Sequence, residues 1–179
     1  MQAINDSAAR YDSTTIWLHW ITALLVLVLW CLGETMDWFP RGDARIVARS
    51  VHVLLGTTLA LILCWRIVWR IKHGRRLPTA EYGRLQVLAK LIHFALYVLI
   101  AATVLIGLTY TWVRGDNIFN LFRIPALHTG IGGLRSQLGY LHELAANAVL
   151  ILAGAHAVAG LWHYFVRRDQ VMWRMGVKR

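Results

Sequence analysis

The chain has 179 residues, of which 58% are hydrophobic, with nine Trp and a formal charge of +10. That is too apolar for a soluble domain of this length, and the length suits one domain, 1–179, with room for only a few membrane spans. The basic residues flank apolar runs, which fits anionic lipid and membrane topology better than a nucleic-acid surface, so no nucleic-acid partner is expected.

Up to Thr15 the chain is polar. It lacks a basic stretch followed by a short apolar core and a cleavage site, so we read no signal peptide. A helix needs about 20 apolar residues to cross a bilayer core. The first such run is about 15–34, "TIWLHWITALLVLVLWCLGE", with His19 near its start and Cys31 near its end. A turn-rich join, "DWFPRGDAR" (37–45), leads to the second run, about 49–71, which carries His52, Cys64 and Arg66. A basic loop, "KHGRRLPTAEYGR" (72–84), leads to the third, about 85–112, which carries His93. The longest join, about 113–137, holds Gly115, Pro125, Gly130, Gly132 and Gly133. It suits either a short surface helix or a chain lying along the interface. His128 within it reads as a plain loop histidine, since loops are exposed and variable. The fourth run, about 138–165, carries His142, His156 and His163. Backbone groups in lipid must pair within their own segment, so each run is predicted to be a helix. The expected fold class is therefore all-α, an integral membrane four-helix bundle.

Lys and Arg set the expected direction. The N-tail, the 72–84 loop with its helix flanks and the C-tail carry 13 of the 19, and the other two loops carry six. The positive-inside rule then places both termini in the cytoplasm. Trp17, Trp20, Trp38, Trp112, Trp162 and Trp173 fall near the ends of the runs, as an aromatic belt would. Cys31 and Cys64 lie inside apolar runs and are expected to stay free thiols. No CxxCH occurs, which excludes covalent c-type haem attachment.

The histidines sort by depth. His19 and His156 fall near the cytoplasmic side, and His52 and His142 near the outer side. His142 and His156 are fourteen residues apart, roughly 21 Å of helix at about 1.5 Å per residue. Fourteen residues are also two heptads, so both side chains face one way in a left-handed bundle. A single membrane histidine can simply hydrogen-bond a neighbouring helix. Zinc would want about four ligands around one point. Two pairs at two depths instead suit two stacked b-type haems with bis-histidine ligation. His52 and His142 would hold the outer haem, and His19 and His156 the inner one. Arg66, fourteen after His52, falls at the inner level, where it could pair with a haem propionate or snorkel to the interface. Gly33 and Gly107 fall at the outer level, and Gly56 and Gly160 one turn from histidines. Glycine there admits a flat macrocycle or a neighbouring helix.

The motifs "LHW" (18–20), "FPR" (39–41), "HVLLG" (52–56), "HFALY" (93–97), "LHELAAN" (141–147) and "AHAVAGLWHYF" (155–165) resemble the bacterial cytochrome b561 family. The resemblance covers nearly the whole chain in motif order, and is greatest to the short stand-alone members typified by superoxide:ubiquinone oxidoreductases. It implies haem ligands at His19, His52, His142 and His156 and quinone contact at His163. It implies an oxidoreductase of the bacterial inner membrane that takes electrons from superoxide at the periplasmic face and delivers them to ubiquinone at the inner face. His93 is a second candidate for quinone or propionate contact. Lys72 and Arg75 could add polar contacts there. Arg41, Arg45, Arg49, Arg114, Arg123 and Arg135 are available to attract a small anion. Five nearby acids leave a net outer charge of +1, so local focusing rather than overall field would have to act. The alternative is a cytochrome b relay or anchor subunit of a dehydrogenase or hydrogenase. No protein partner is required by the oxidase reading, and a homo-oligomer is compatible with it.

Overall fold

The computed structural model describes residues 10–75, 77–78, 83–127 and 133–178. Four helices dominate it: α1 (Ser13–Glu34), α2 (Asp43–Lys72), α3 (Gly83–Arg114) and α4 (Leu134–Trp162). All four are long and apolar enough to cross a membrane, and α4 runs on through a π-helical turn, His163–Arg167. Each helix packs on its neighbour in sequence, and α1 closes the ring on α4. The result is an antiparallel four-helix bundle. One end carries the start of α1 and the segment after α4, and the opposite end carries the 35–42 turn and the 115–127 segment.

Local chemistry sets the helix ends. Asp12 caps α1, accepting from the Thr15 amide at 2.9 Å and its hydroxyl at 2.7 Å. A side-chain oxygen at this position satisfies amides that no earlier turn can reach. Between α1 and α2, Arg45 folds back onto the carbonyls of Asp37 and Phe39 and pairs with the Asp37 carboxylate at 3.2 Å. At the end of α3, Gly115 takes a left-handed φ of 65°, and a Cβ there would lie 2.7 Å from that of Ala126. Both the turn and the close approach require glycine.

In its described part the long join contains no surface helix. It forms a minimal antiparallel ladder, β1 (Asn117–Ile118) with β2 (Phe122–Arg123). Phe119 and Asn120 at its tip both have positive φ, 52° and 57°. Side chains hold this hairpin against the start of α2. Ser50 Oγ accepts from the Phe119 amide at 2.8 Å, and Asn120 donates to Asp43 at 3.0 Å. No period-2 pattern marks so short a ladder, which is why apolar periodicity did not reveal it. His128 lies outside the described residues.

The packed core is thin. Leu18, Leu29, Ala48, Leu59, Leu63 and Val149 are buried, whereas Leu61 is 68% and Ile151 75% exposed. Outward leucines and isoleucines suit acyl chains, since lipid is as apolar as they are. Several polar groups between helices are hydrogen-bonded. Thr22 and Ser50 donate to the carbonyls four residues back, and Trp30 donates to Asn147 at 2.8 Å, tying α1 to α4. Cys31 and Cys64 are free and exposed.

At the terminal end the two tails and the 72–78 turn interlock. Asp12 also accepts from Trp69 Nε1 at 2.9 Å and from the Arg75 amide at 3.2 Å. Tyr11 pairs through its amide with the Arg174 carbonyl, and Trp20 donates to the Met175 carbonyl. A short helix, α5 (Val171–Arg174), lies across this end, and Arg174 reaches the Pro78 carbonyl.

Candidate functional site

Two pairs of half-buried histidines face one another between the helices, one near each end of the bundle, and an exposed His93 joins the pair at the terminal end. At the hairpin end, α2 presents His52 and α4 presents His142, with ring centroids 6.1 Å apart. His142 Nδ1 donates to the Thr103 carbonyl on α3 at 3.1 Å. A carbonyl can only accept, so the ring proton sits on Nδ1 and Nε2 is left as the basic nitrogen. His52 Nδ1 is buried without a hydrogen-bond partner. Gly33 on α1 and Gly107 on α3 border the pair. A Cβ at 33 would lie 3.7 Å from His52 Cε1, and one at 107 only 2.7 Å from His142 Cε1. Gly107 is thus where no larger residue fits without moving a histidine.

At the terminal end, α1 presents His19 and α4 presents His156, with centroids 6.2 Å apart. His93 of α3 stands edge-on to His156 at 5.0 Å and donates from Nδ1 to the Ala89 carbonyl at 2.6 Å. Arg66 of α2 reaches His19 Nδ1 at 3.1 Å and lies over the Tyr97 ring. Guanidinium only donates, so in this contact His19 Nδ1 accepts. The fourteen-residue spacing therefore does what helical geometry demands. On one uninterrupted helix, α4, His142 and His156 each meet a histidine from a different neighbour.

The profile of the prokaryotic cytochrome b561 family matches residues 10–177. The chain belongs to that family. It is 28% identical over 176 residues to cytochrome b561 homolog 1 of Escherichia coli K12, covering 95% of this chain and 98% of that one. It is 27% identical over 173 residues to a Yersinia pestis protein named probable superoxide oxidase CybB, covering 95% and 97%. Cytochrome b562 of Cereibacter sphaeroides is 29% identical over 170 residues, with 92% and 94% covered. As a member of the cytochrome b561 family the chain is a multi-pass membrane dihaem electron carrier, and the family implies b-type haem.

The residues of this cytochrome b561 fit such a group. Each pair sets two imidazoles facing one another across the bundle, with ring centroids 6.2 Å and 6.1 Å apart, a donor set that would hold a b-type haem. The Nδ1–carbonyl bond of His142 would orient its imidazole for ligation through Nε2. At His19 the Arg66 contact favours the opposite tautomer, so ligation through Nε2 would require Arg66 to turn elsewhere. Among the described residues no cluster of three or more His, Cys, Asp or Glu side chains is arranged to hold a bare metal ion. Gly56 borders open space, as a macrocycle would need. In front of Gly160 that space is taken by Met172 Sδ, 3.2 Å from where a Cβ would be. Gly160 thus packs the C-terminal segment against α4.

His163 stands apart from both groups, beyond His156 on the π-helical turn. Its Nδ1 lies 2.6 Å from Asp169 Oδ2. Two further features escape a residue-by-residue reading. Asp116, 4% exposed, receives Arg114 through two short hydrogen bonds and has Arg49 at 3.8 Å. Of the six arginines counted at this end, Arg45, Arg49 and Arg114 are therefore already matched to carboxylates. The second feature is the Asp12 junction of tails and loop. Arg49 and Asp116, and Asp12 with Trp69 and the Arg75 amide, are far apart in sequence and carry no periodic signal, so only the folded chain brings them together.

Proposed function

We propose that this cytochrome b561 is a superoxide:ubiquinone oxidoreductase of the bacterial inner membrane. The observation that carries the proposal is the pair of histidine pairs, one at each end of a membrane-spanning bundle. Such an arrangement serves electron passage between two membrane faces. The name of the Yersinia pestis relative supports superoxide as the donor. The excess of Lys and Arg at the terminal end supports termini in the cytoplasm, which makes the hairpin end periplasmic.

When bound, b-type haem supplies reversible one-electron transfer. His52 and His142 would hold the outer haem, and His19 and His156 the inner one. Arg66 and His93 would meet the polar edge of the inner group. Two superoxide anions are oxidised to two molecules of oxygen at the outer face. One ubiquinone takes up the two electrons and two protons at the inner face. Arg49 and Arg114 together outweigh the single charge of Asp116, leaving local positive potential near the outer pair for a small anion. His163, about 10 Å of helical rise beyond His156, would contact the quinone. A single domain over 1–179 accommodates the whole reaction, with no protein partner needed.

Stopped-flow mixing of the purified protein with superoxide, while following the haem Soret band, tests this reading. We expect rapid reduction without quinone and continuous turnover when ubiquinone is added. Haems that stay oxidised with superoxide, but are reduced by a co-purifying dehydrogenase or hydrogenase, would overturn it in favour of the relay subunit.

A further inference from the structure

The chain beyond α4 makes one wide turn. His163–Arg167 is π-helical, Arg168 turns left-handed at φ 55°, and Asp169 returns beneath His163. The Asp169 amide donates to the His163 carbonyl at 3.3 Å, closing the turn. Three groups position the carboxylate. Oδ2 meets His163 Nδ1 at 2.6 Å, Oδ1 accepts from the Val171 amide at 3.0 Å, and Arg167 Nε lies 3.7 Å from Oδ2. The His163 side chain is 17% exposed and that of Asp169 31%, so the pair sits at the rim of the bundle, within reach of water. Partial burial opposes ionisation of Asp169, but hydrogen bonds from His163 and Val171 outweigh it and hold the carboxyl below its ordinary range. Asp169 is therefore an anion at neutral pH, and an anionic carboxylate only accepts. The shared proton belongs to His163 Nδ1.

That assignment decides what His163 can do. With Nδ1 protonated, a neutral imidazole is an acceptor at Nε2. It becomes a donor there only as imidazolium, whose charge Asp169 balances. We propose that Asp169 is the positioning residue of a proton-delivering dyad, holding His163 with Nδ1 toward the carboxylate so that Nε2 carries a proton to the reduced quinone oxygen. The proposal rests on the quinone contact assigned to His163 above. Ubiquinone receives two electrons from two superoxide oxidations and two protons. A proton leaves His163 Nε2 after each electron arrives, the imidazolium becoming neutral while Asp169 stays anionic throughout. Water at the cytoplasmic face returns a proton to Nε2 after each transfer, so the two protons of the quinol both pass through this nitrogen.

The test uses full-length protein loaded with both haems, as wild type and as Asp169→Asn, Asp169→Glu and His163→Ala. Nitrogen NMR of histidine-labelled protein reads the His163 tautomer without turnover, with His163→Ala assigning the signal. We expect an Nδ1-protonated ring in wild type and a mixture of tautomers in Asp169→Asn. We also expect haem content and superoxide-driven haem reduction to be unchanged in Asp169→Asn. Reoxidation by ubiquinone should slow about tenfold to a hundredfold, and Asp169→Glu should recover most of it. An unchanged tautomer and unchanged reoxidation in Asp169→Asn would overturn the role of Asp169. So would a shifted tautomer with normal reoxidation, if His163→Ala is slow: the quinone contact then stands and the dyad falls. Normal reoxidation in His163→Ala overturns the quinone contact itself, and the dyad with it.

Discussion

Single side chains separate the two proposed haem sites. The protein as purified should contain two non-covalent b-type haems per chain by pyridine haemochrome analysis. His52→Ala or His142→Ala should retain only the inner haem, and His19→Ala or His156→Ala only the outer. Redox titration should show a different component missing in each set, and the same component missing from His19→Ala and His52→Ala would disprove the pairing. Gly107→Ala is a finer probe. Its methyl would fall 2.7 Å from His142 Cε1, so the ring must shift or the helices part. Overpacking of this kind costs about 1–3 kcal/mol. We expect a lower melting temperature and weakened retention of the outer haem, with the inner haem intact. His163→Ala should leave superoxide-driven haem reduction untouched and slow reoxidation by ubiquinone about tenfold to a thousandfold, the range of lost proton donors and single hydrogen-bond donors. A defect in the reduction step alone would mean that the faces are reversed.

Among the elements, the α1 start is the one with a titratable fastening. Burial pushes the Asp12 carboxyl upward, but hydrogen bonds from the Thr15 side chain and amide, Trp69 and the Arg75 amide prevail and bring it to about 2, from an ordinary 3.8. The folded state thus binds the proton less readily than the unfolded chain. The contribution is complete above pH 3.8 and is lost as pH falls through about 2, because protonation costs the folded state its acceptor. In detergent, the melting temperature of wild type should fall more steeply between those pH values than that of Asp12→Ala. At neutral pH Asp12→Ala should lose about 0.5–2 kcal/mol, the typical range for an N-cap. Parallel acid profiles for the two proteins would remove Asp12 as a fastening. The hairpin at the other end depends on Ser50, 1% exposed, which serves both its own helix and the Phe119 amide, and on Asp43, which accepts from Asn120 at its tip.

At the scale of the whole molecule, the interlocked tail segments make the terminal end one structural unit. The proposed direction of electron flow, argued from the charge bias, puts that end at the cytoplasm. A fluorescent protein fused at the C-terminus should therefore fold and fluoresce in cells, whereas alkaline phosphatase fused at the same point should be inactive. The reverse pattern would invert the proposed direction of electron flow.

Helix number, span positions and histidine spacing were legible in the chain itself, because hydrocarbon forces backbone pairing within each span and a helix repeats its faces at a known rise. The heptad arithmetic for His142 and His156 needed nothing more than an unbroken helix, and α4 is unbroken across both. The placement of Gly33 and Gly107 beside His52 and His142 followed from the same arithmetic. Tertiary structure alone decided which charges meet. Asp116 with Arg49, Asp12 with Trp69 and the Arg75 amide, and Asp169 with His163 are set by turns and by helices packing side by side, to which no apolar period points. Tertiary structure also turned the long join into a hairpin, since its ladder is too short to have a pattern and is held by a serine and an aspartate of another helix. Hydrophobic burial is periodic and can be read along one strand of sequence, whereas ion pairs and hydrogen bonds between elements join distant positions, and only a folded chain brings those positions to within hydrogen-bonding distance.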